Sequence, residues 1–210
     1  CIRDSFHTRT NFHVEEYLEK NGMETILPRI TYQFRKDFQA ANSEIRDFGA
    51  HLAPYSFALD AAVEGIQRYL ERIAAAHPLY HKAPRPQDLY AGVSSIIPKT
   101  LTCGEGWLMA GEIAHYAAEG ARSFIILQPF GCLPNHVCGR GVTKRLKELY
   151  PGVQILPLDL DPDTSYANVE NRLQMLIMNQ TAEQEKLEPA EAPERRTHRG
   201  SYHRPRLSST

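Results

Sequence analysis

The chain has 210 residues, with 24 Lys and Arg against 25 Asp and Glu and a formal net charge of −1. Hydrophobic residues make up 42% and charged residues 23%, the balance of an ordinary globular domain, and near-neutrality argues against nucleic acid or an anionic membrane surface as partner. No stretch reaches the roughly 20 apolar residues of a membrane span, and no basic-then-apolar opening reads as a secretory signal. With four unevenly spaced cysteines, Cys1, Cys103, Cys132 and Cys138, the expectation is a cytoplasmic protein with reduced thiols.

Asn11 is placed to cap a helix running to about Lys20, which Asn21-Gly22 ends. "METILP" (23–28) then reads as a short strand. Residues 29–53 are mixed, with helical turns. From Phe57 to Ile73 the apolar positions Ala62, Ile66, Tyr69 and Ile73 recur at helical spacing. Pro78 breaks that helix, and "KAPRP" (82–86) makes a stiff connection. "QDLYAGVSSII" (87–97) predicts a short helix stopped by Pro98, and "GEGWLMAGEIAHYAAEG" a helix from about Gly106 to Ala118, ending near Gly120.

"SFIILQPF" (123–130) is a continuous apolar run after a helix, which fits a buried parallel strand. Val142, Leu146 and Leu149 form the inward stripe of the next helix, and Pro151-Gly152 stops it. "VQILPLDL" (153–160) is another strand, and Val169, Leu173, Leu176 and Ile177 mark the last helix. This β-α-β-α order with short links predicts an α/β fold: a parallel sheet covered by helices, three-layer and flavodoxin-like, over residues 1–180 as a single domain. After Gln180 large apolar residues almost vanish, so residues 181–210 are expected to be a disordered tail.

In such a sheet ligands bind beyond the carboxyl ends of the strands. "PFGCLPNHVCGRG" (129–141) and "DLDPDTSYANVENR" (159–172) follow the two strands, and "TCGEGW" (102–107) opens a helix that can reach the same rim. Cys132, at a helix start, has amide dipoles to stabilise a thiolate, which is either a nucleophile or a metal ligand; the alternative is a small buried hydrophobe. Cys138 lies one to two turns into the helix, where packing on the inner face is the simpler role. Cys103 precedes a Gly-Glu-Gly turn and is open between function and structure.

His136 reads as a base, a zinc ligand or a polar cap. A Cys132–His136 dyad and a Cys132/His136/Cys138 zinc site are alternatives, the second lacking a paired C-x-x-C. Gly139 and Gly141 suggest close approach of the backbone to a ligand or a neighbouring strand. Neither G-x-G-x-x-G nor a Walker A pattern occurs. Glu105 falls in a first helical turn, where it offsets the dipole. Asp159 and Asp161 follow a strand and read as metal ligands or polar ligand contacts, with turn formation around Asp161-Pro162 the simpler role. Asn168, Glu170, Asn171 and Arg172 read as a solvated helical face or a packed polar network.

Three of these stretches, "GEGWLMAGEI", "QPFGCLPNHVCGRG" and "DLDPDTSYANVENRLQMLI", occur in this order and resemble the C-terminal region of the large 2-hydroxyacyl-CoA dehydratase-related proteins, often called CoA-substrate-specific enzyme activases. "IRDSFHTRTNFHVEEYLEKNGMETILPRI" resembles the part of that region just after its first strand, so the likeness covers about residues 2–178. Family members carry oxygen-sensitive 4Fe–4S clusters in α/β domains. Their dehydratase component removes water from a 2-hydroxyacyl-CoA by ketyl-radical chemistry, started by an electron from a separate ATPase activator.

The resemblance implies that Cys132 is a cluster ligand, with Cys138 and Cys103 as secondary candidates. It further implies that Gly131 and Gly139 permit close approach, that Asn135 and His136 are donors behind the ligands, and that Glu105 with Trp107 lines the pocket. The implied partners are upstream domains or a dehydratase or activator subunit, and an acyl-CoA. The chain would be a lyase component, not active alone. It departs from the family in having no activator ATP motif, no upstream cysteines and no first strand of its own sheet, and it reads as a fragment. The competing expectations are a non-catalytic α/β binding or subunit-interaction module with structural cysteines, and a Cys–His hydrolase.

Overall fold

Two seven-residue strands, Ser123–Pro129 (β1) and Gln154–Leu160 (β2), pair in parallel, from Ser123 opposite Gln154 to Pro129 opposite Leu160. Both are aliphatic runs, as strands covered on two faces must be. Pro157, which has no N–H to donate, is tolerated because β2 lies at a sheet edge. The computed structural model describes residues 7–50, 55–78, 80, 82–101, 104–161 and 163–187, with 182–187 through their backbone alone.

The helices are α1 (Val14–Lys20), α2 (Ile30–Phe48), α3 (Tyr55–Ala74), α4 (Pro86–Ala91), α5 (Trp107–Ala118), α6 (Leu133–Asn135, continuing as a π-helix over His136–Arg140), α7 (Thr143–Leu149) and α8 (Tyr166–Leu187). Alternation along β1 and β2 sends side chains to two cores. Phe124, Ile126 and Ile155 join Leu89 of α4, Trp107, Ile113 and Ala114 of α5, and Leu146 of α7. Ile125, Leu127, Leu156 and Leu158 join Val14 and Leu18 of α1 and Val169 and Leu173 of α8. Among the described residues the molecule is thus a mixed helix–strand fold around a two-stranded parallel sheet.

Close approach of α4 and α5 depends on Gly111. A Cβ there would lie 2.8 Å from the Leu89 carbonyl oxygen and 3.2 Å from its carbon. That is backbone, which cannot swing aside. Gly111→Ala is therefore expected to destabilise by about 2 kcal/mol through overpacking, despite the better helix propensity of alanine. Urea unfolding checks this; an unchanged or raised midpoint would show that the two helices can separate freely.

Several elements differ from expectation. Residues 23–28 form no strand; they run beside β1 across cavities instead of bonding to it. Residues 30–48, expected to be mixed, form one helix. Asn11 does not cap α1: His13 holds the N-cap position in the left-handed region at φ 57°, without a side-chain cap bond, while Asn11 is buried. The stripe Ile66, Tyr69 and Ile73 on α3 is exposed. The opposite face carries Asp60, Glu64, Gln67 and Glu71, which bond to Arg29, Thr31 and Arg35 around α2. At the other end, α8 continues to Leu187, past the change of composition after Gln180, so 181–187 are helical rather than tail; 188–210 lie outside the described residues.

Candidate functional site

β1 ends at Pro129, and the chain then doubles back on itself. The Phe130 N–H donates to the Leu160 carbonyl at 3.1 Å, and the Cys132 N–H to the Pro129 carbonyl at 3.1 Å. The turn needs φ +70° at Gly131, a conformation open to glycine at little cost. Cys132 follows as the N-cap residue of α6 and is half-buried. His136 Nδ1 lies 2.8 Å from the Cys132 carbonyl oxygen. A carbonyl only accepts, so Nδ1 carries a proton and donates it to this bond.

Behind this turn is a polar network at the carboxyl ends of the two strands. Gln128 and Asp159 are register partners across the sheet. Gln128 Nε2 and Arg140 Nη2 both donate to the Asp159 carboxylate. Burial pushes the Asp159 carboxyl up, but those hydrogen bonds together with the charges of Arg140 and His136 outweigh it and hold the group below the usual aspartate range. Asn135, fully buried, donates from Nδ2 to the Leu127 carbonyl at 3.5 Å. Gln128 Oε1, Asn135 Oδ1 and Arg140 Nε are buried with no hydrogen-bond partner, so the rim holds unfilled acceptors and a donor side by side.

The remaining sequence-predicted residues are divided between rim, core and cavity. Cys138 is 1% exposed and packs in the core with Ile126 and Leu146, on the π-helical turn that the Gly141 N–H closes onto the His136 carbonyl at 2.8 Å. Gly139 serves packing: a Cβ there would lie 2.7 Å from Met109 Sδ of α5 and 3.3 Å from Ile126 Cδ1 of β1. Trp107 does not line a pocket; it is fully buried, edge-on to Tyr90 with ring centroids 5.2 Å apart. Cys103 lies outside the described residues. Its sequence neighbour Gly104, at φ +60°, is pressed against Pro134, where a Cβ would come within 2.6 Å of Pro134 Cβ. The Gly104 carbonyl accepts from Gln33 Nε2 at 3.0 Å and from Lys36 Nζ. Gly104 and Pro134 therefore meet. Asp161 forms a turn, its Oδ1 accepting from the Asp163 N–H at 3.0 Å. Asn168, Asn171 and Arg172 are exposed on α8.

Glu105 lies in a separate place. With Glu112 it lines a cavity of about 290 Å³ between α5, β1 and residues 24–30. Glu112 Oε1 is out of solvent and unpartnered. Burial, with the Glu105 charge adding to it, pushes the Glu112 carboxyl up to about 8. Sequence reasoning missed Glu112, Gln128 and Arg140. The one signal for Glu112 is a lone carboxylate inside the apolar run "WLMAGEIA".

A 4Fe–4S cluster takes thiolate ligands. Among the described residues no three His, Cys, Asp or Glu side chains gather as metal ligands, and Cys132 is the one thiol at the rim. The described donors therefore fit one corner of a cluster, and the other ligands have to come from outside them. No described helix is long and apolar enough to cross a membrane. Comparison with protein-family models, curated proteins and solved structures gives no match.

Proposed function

We propose that the chain is the C-terminal α/β domain of a cytoplasmic 2-hydroxyacyl-CoA dehydratase/activase-type iron–sulfur protein, with Cys132 as its cluster ligand. In this reading the two-stranded pair belongs to a three-layer, flavodoxin-like sheet. The observation that carries it is the placing of Cys132: a half-buried thiol on a glycine turn at the carboxyl end of a parallel strand, where such sheets bind ligands. The contact of Gly104 with Pro134 supports Cys103 as a second ligand.

When bound, the cluster supplies a low-potential electron for transfer or for radical dehydration of a 2-hydroxyacyl-CoA. The chain's own residues hold its corner. The Gly131 turn sets the direction of Cys132, His136 Nδ1–H fixes the Cys132 carbonyl, and the Asp159–Arg140–Gln128 network locks the strand ends behind it. Phe130, Leu133 and Val137 expose apolar surface around Cys132; this is the surface that a dehydratase or activator subunit, or an upstream domain bringing the remaining thiolates, would cover.

The same exposed residues, with the outward stripe of α3, favour the second reading, a subunit-interaction module without a cluster. Anaerobic reconstitution with iron and sulfide separates the two. Wild-type protein is expected to take up iron and labile sulfide, about four iron atoms per cluster, and Cys132→Ser to lose both with an unchanged circular dichroism spectrum. Equal iron in the two proteins, or no iron in folded wild type, would instead support the interaction module.

A further inference from the structure

We propose that the outer face of α3 is a homodimer seam, on which a second copy of this chain packs its own α3 antiparallel about a two-fold axis. The inner face is polar. Asp60 and Glu64 engage Arg35, Glu71 engages Arg29, and Ser56 donates to Asn42. These bonds fix which way α3 faces. On the outer side, Tyr55, Leu59, Ala62, Ile66, Tyr69 and Ile73 follow one another in alternating steps of four and three residues, the spacing of a seam between two paired helices. All six are exposed, the five large ones by 41 to 65%. Together they leave open an apolar surface on the order of several hundred Å², close to the roughly 800 Å² that each partner buries in a stable interface.

Three features make a second copy the occupant. First, the seam is its own complement. Turned end for end about residue 64, it sets Ile66 on Ala62 of the second copy, Tyr69 on Leu59 and Ile73 on Tyr55, larger against smaller in the central layers, as close packing requires. Second, Gly65 lies in mid-helix beside the centre of the seam, where glycine weakens a helix. A Cβ there would meet nothing within 4 Å, so no packing among the described residues accounts for it. The two-fold brings Gly65 of both copies together, and the missing side chains let the helices close. Third, Ala58, Val63, Gly65, Leu70 and Arg72 flank the seam, and of these only Arg72 is charged. The antiparallel pair places Arg72 beside Ala58 of the second copy, whereas a parallel pair would gather both Arg72 side chains at one end.

A contact of this kind uses the same patch on both copies, so it closes at two and does not propagate. The pairing rests on α3 and not on the cluster reading. Cys132→Ser is expected to leave it intact, so iron binding and dimer formation succeed or fail separately.

Sedimentation velocity of the whole chain over a range of concentrations tests this. A monomer–dimer equilibrium is expected. Ile66→Arg, at an exposed position that the fold tolerates, is expected to shift it about tenfold or more toward monomer with an unchanged circular dichroism spectrum. Gly65→Leu adds apolar surface and a better helix former, so indiscriminate sticking would grow stronger. It is expected instead to weaken pairing about tenfold, because the two helices no longer close. Ala62→Ile and Ile66→Ala are each expected to weaken pairing, and the double variant to restore it, since the two-fold sets these residues against each other. The proposal is overturned if folded wild type stays monomeric to about 100 µM, if Ile66→Arg dimerises as the wild type does, if Gly65→Leu associates more tightly, or if the double variant pairs no better than the single ones. The first of these results would make a different protein the occupant of the seam.

Discussion

Replacing Arg35 with alanine is expected to destabilise the fold by about 3 kcal/mol or more, the cost of leaving buried charges without their counter-ion. Arg35 is 3% exposed along its side chain; its Nε donates to Asp60 Oδ1 at 2.8 Å and its Nη1 pairs with Glu64. Both carboxylates are themselves mostly covered, at 18% and 21% exposure, and without the guanidinium they would be left as like charges one turn apart on α3, with Glu64 keeping only the exposed Arg68. Little else holds α3 in place. Its apolar stripe faces outward, and its inner contacts are polar: Ser56 Oγ donates to Asn42 Oδ1 at 2.6 Å, and Arg29 reaches Glu71. Arg35→Met keeps most of the volume and is expected to fail in the same direction. Arg35→Lys keeps the charge but not the fork that reaches two carboxylates, and should lie between. Arg85→Ala, which removes the exposed pair to Asp88, is expected to leave stability nearly unchanged, because solvent screens such a pair. Urea unfolding of the four variants gives the comparison; a loss below about 1 kcal/mol for Arg35→Ala would show that α3 is held by something other than this pair.

That interface also marks where sequence reasoning stops. Periodicity shows that Ile66, Tyr69 and Ile73 share a face of α3, but not that the face turns outward, because that depends on which neighbour offers Arg29 and Arg35 to the other side. β1, β2 and α5 were legible from local signals: apolar runs of strand length, a helical apolar stripe, and glycine or proline at the ends. "METILP" carries the same strand signal, yet a strand exists only when an adjacent strand takes up its hydrogen bonds, and among the described residues 23–28 pairs with none. At the rim, the position of Cys132 followed from the turn residues around it. The Gln128–Asp159–Arg140 network did not, since Gln128 and Asp159 meet only through the register of the parallel pair. Cys138 and Gly139 lie on the π-helical turn, where Cys138 joins the core cluster of Ile126 and Gly139 closes against Met109 and Ile126, a packing role that the inner-face reading of Cys138 allows for.

Stability is expected to fall by about 2 to 4 kcal/mol between pH 4.5 and 8 through Glu112 alone, and Glu112→Gln is expected to abolish that fall. The carboxyl sits in an apolar cavity with Oε1 unpartnered, and its value rises from the ordinary 4.5 to about 8. Across that window the folded chain keeps the proton and the unfolded chain loses it, so the contribution is fully present below 4.5 and is lost as pH rises through 8. Each unit corresponds to about 1.4 kcal/mol, and the hydration that the cavity allows reduces the total. The charged or titratable groups around Glu112 do not reverse the sign. Glu105 and Glu24, across the cavity, are carboxylates, and a negative neighbour only raises Glu112 further. Arg29 is engaged by Glu71. Tyr116 and Tyr32 are pushed up by burial and stay neutral through the window. Asp159 moves the other way and titrates below it. Every group common to wild type and variant cancels in the comparison, so the difference between the two unfolding curves isolates Glu112. Parallel curves from pH 5 to 9 would mean that the carboxylate reaches water or a cation when it ionises. A gap opening with pH, with the variant the more stable above pH 8, would mark Glu112 as a group held neutral by its surroundings and ready to exchange its proton with whatever enters the cavity.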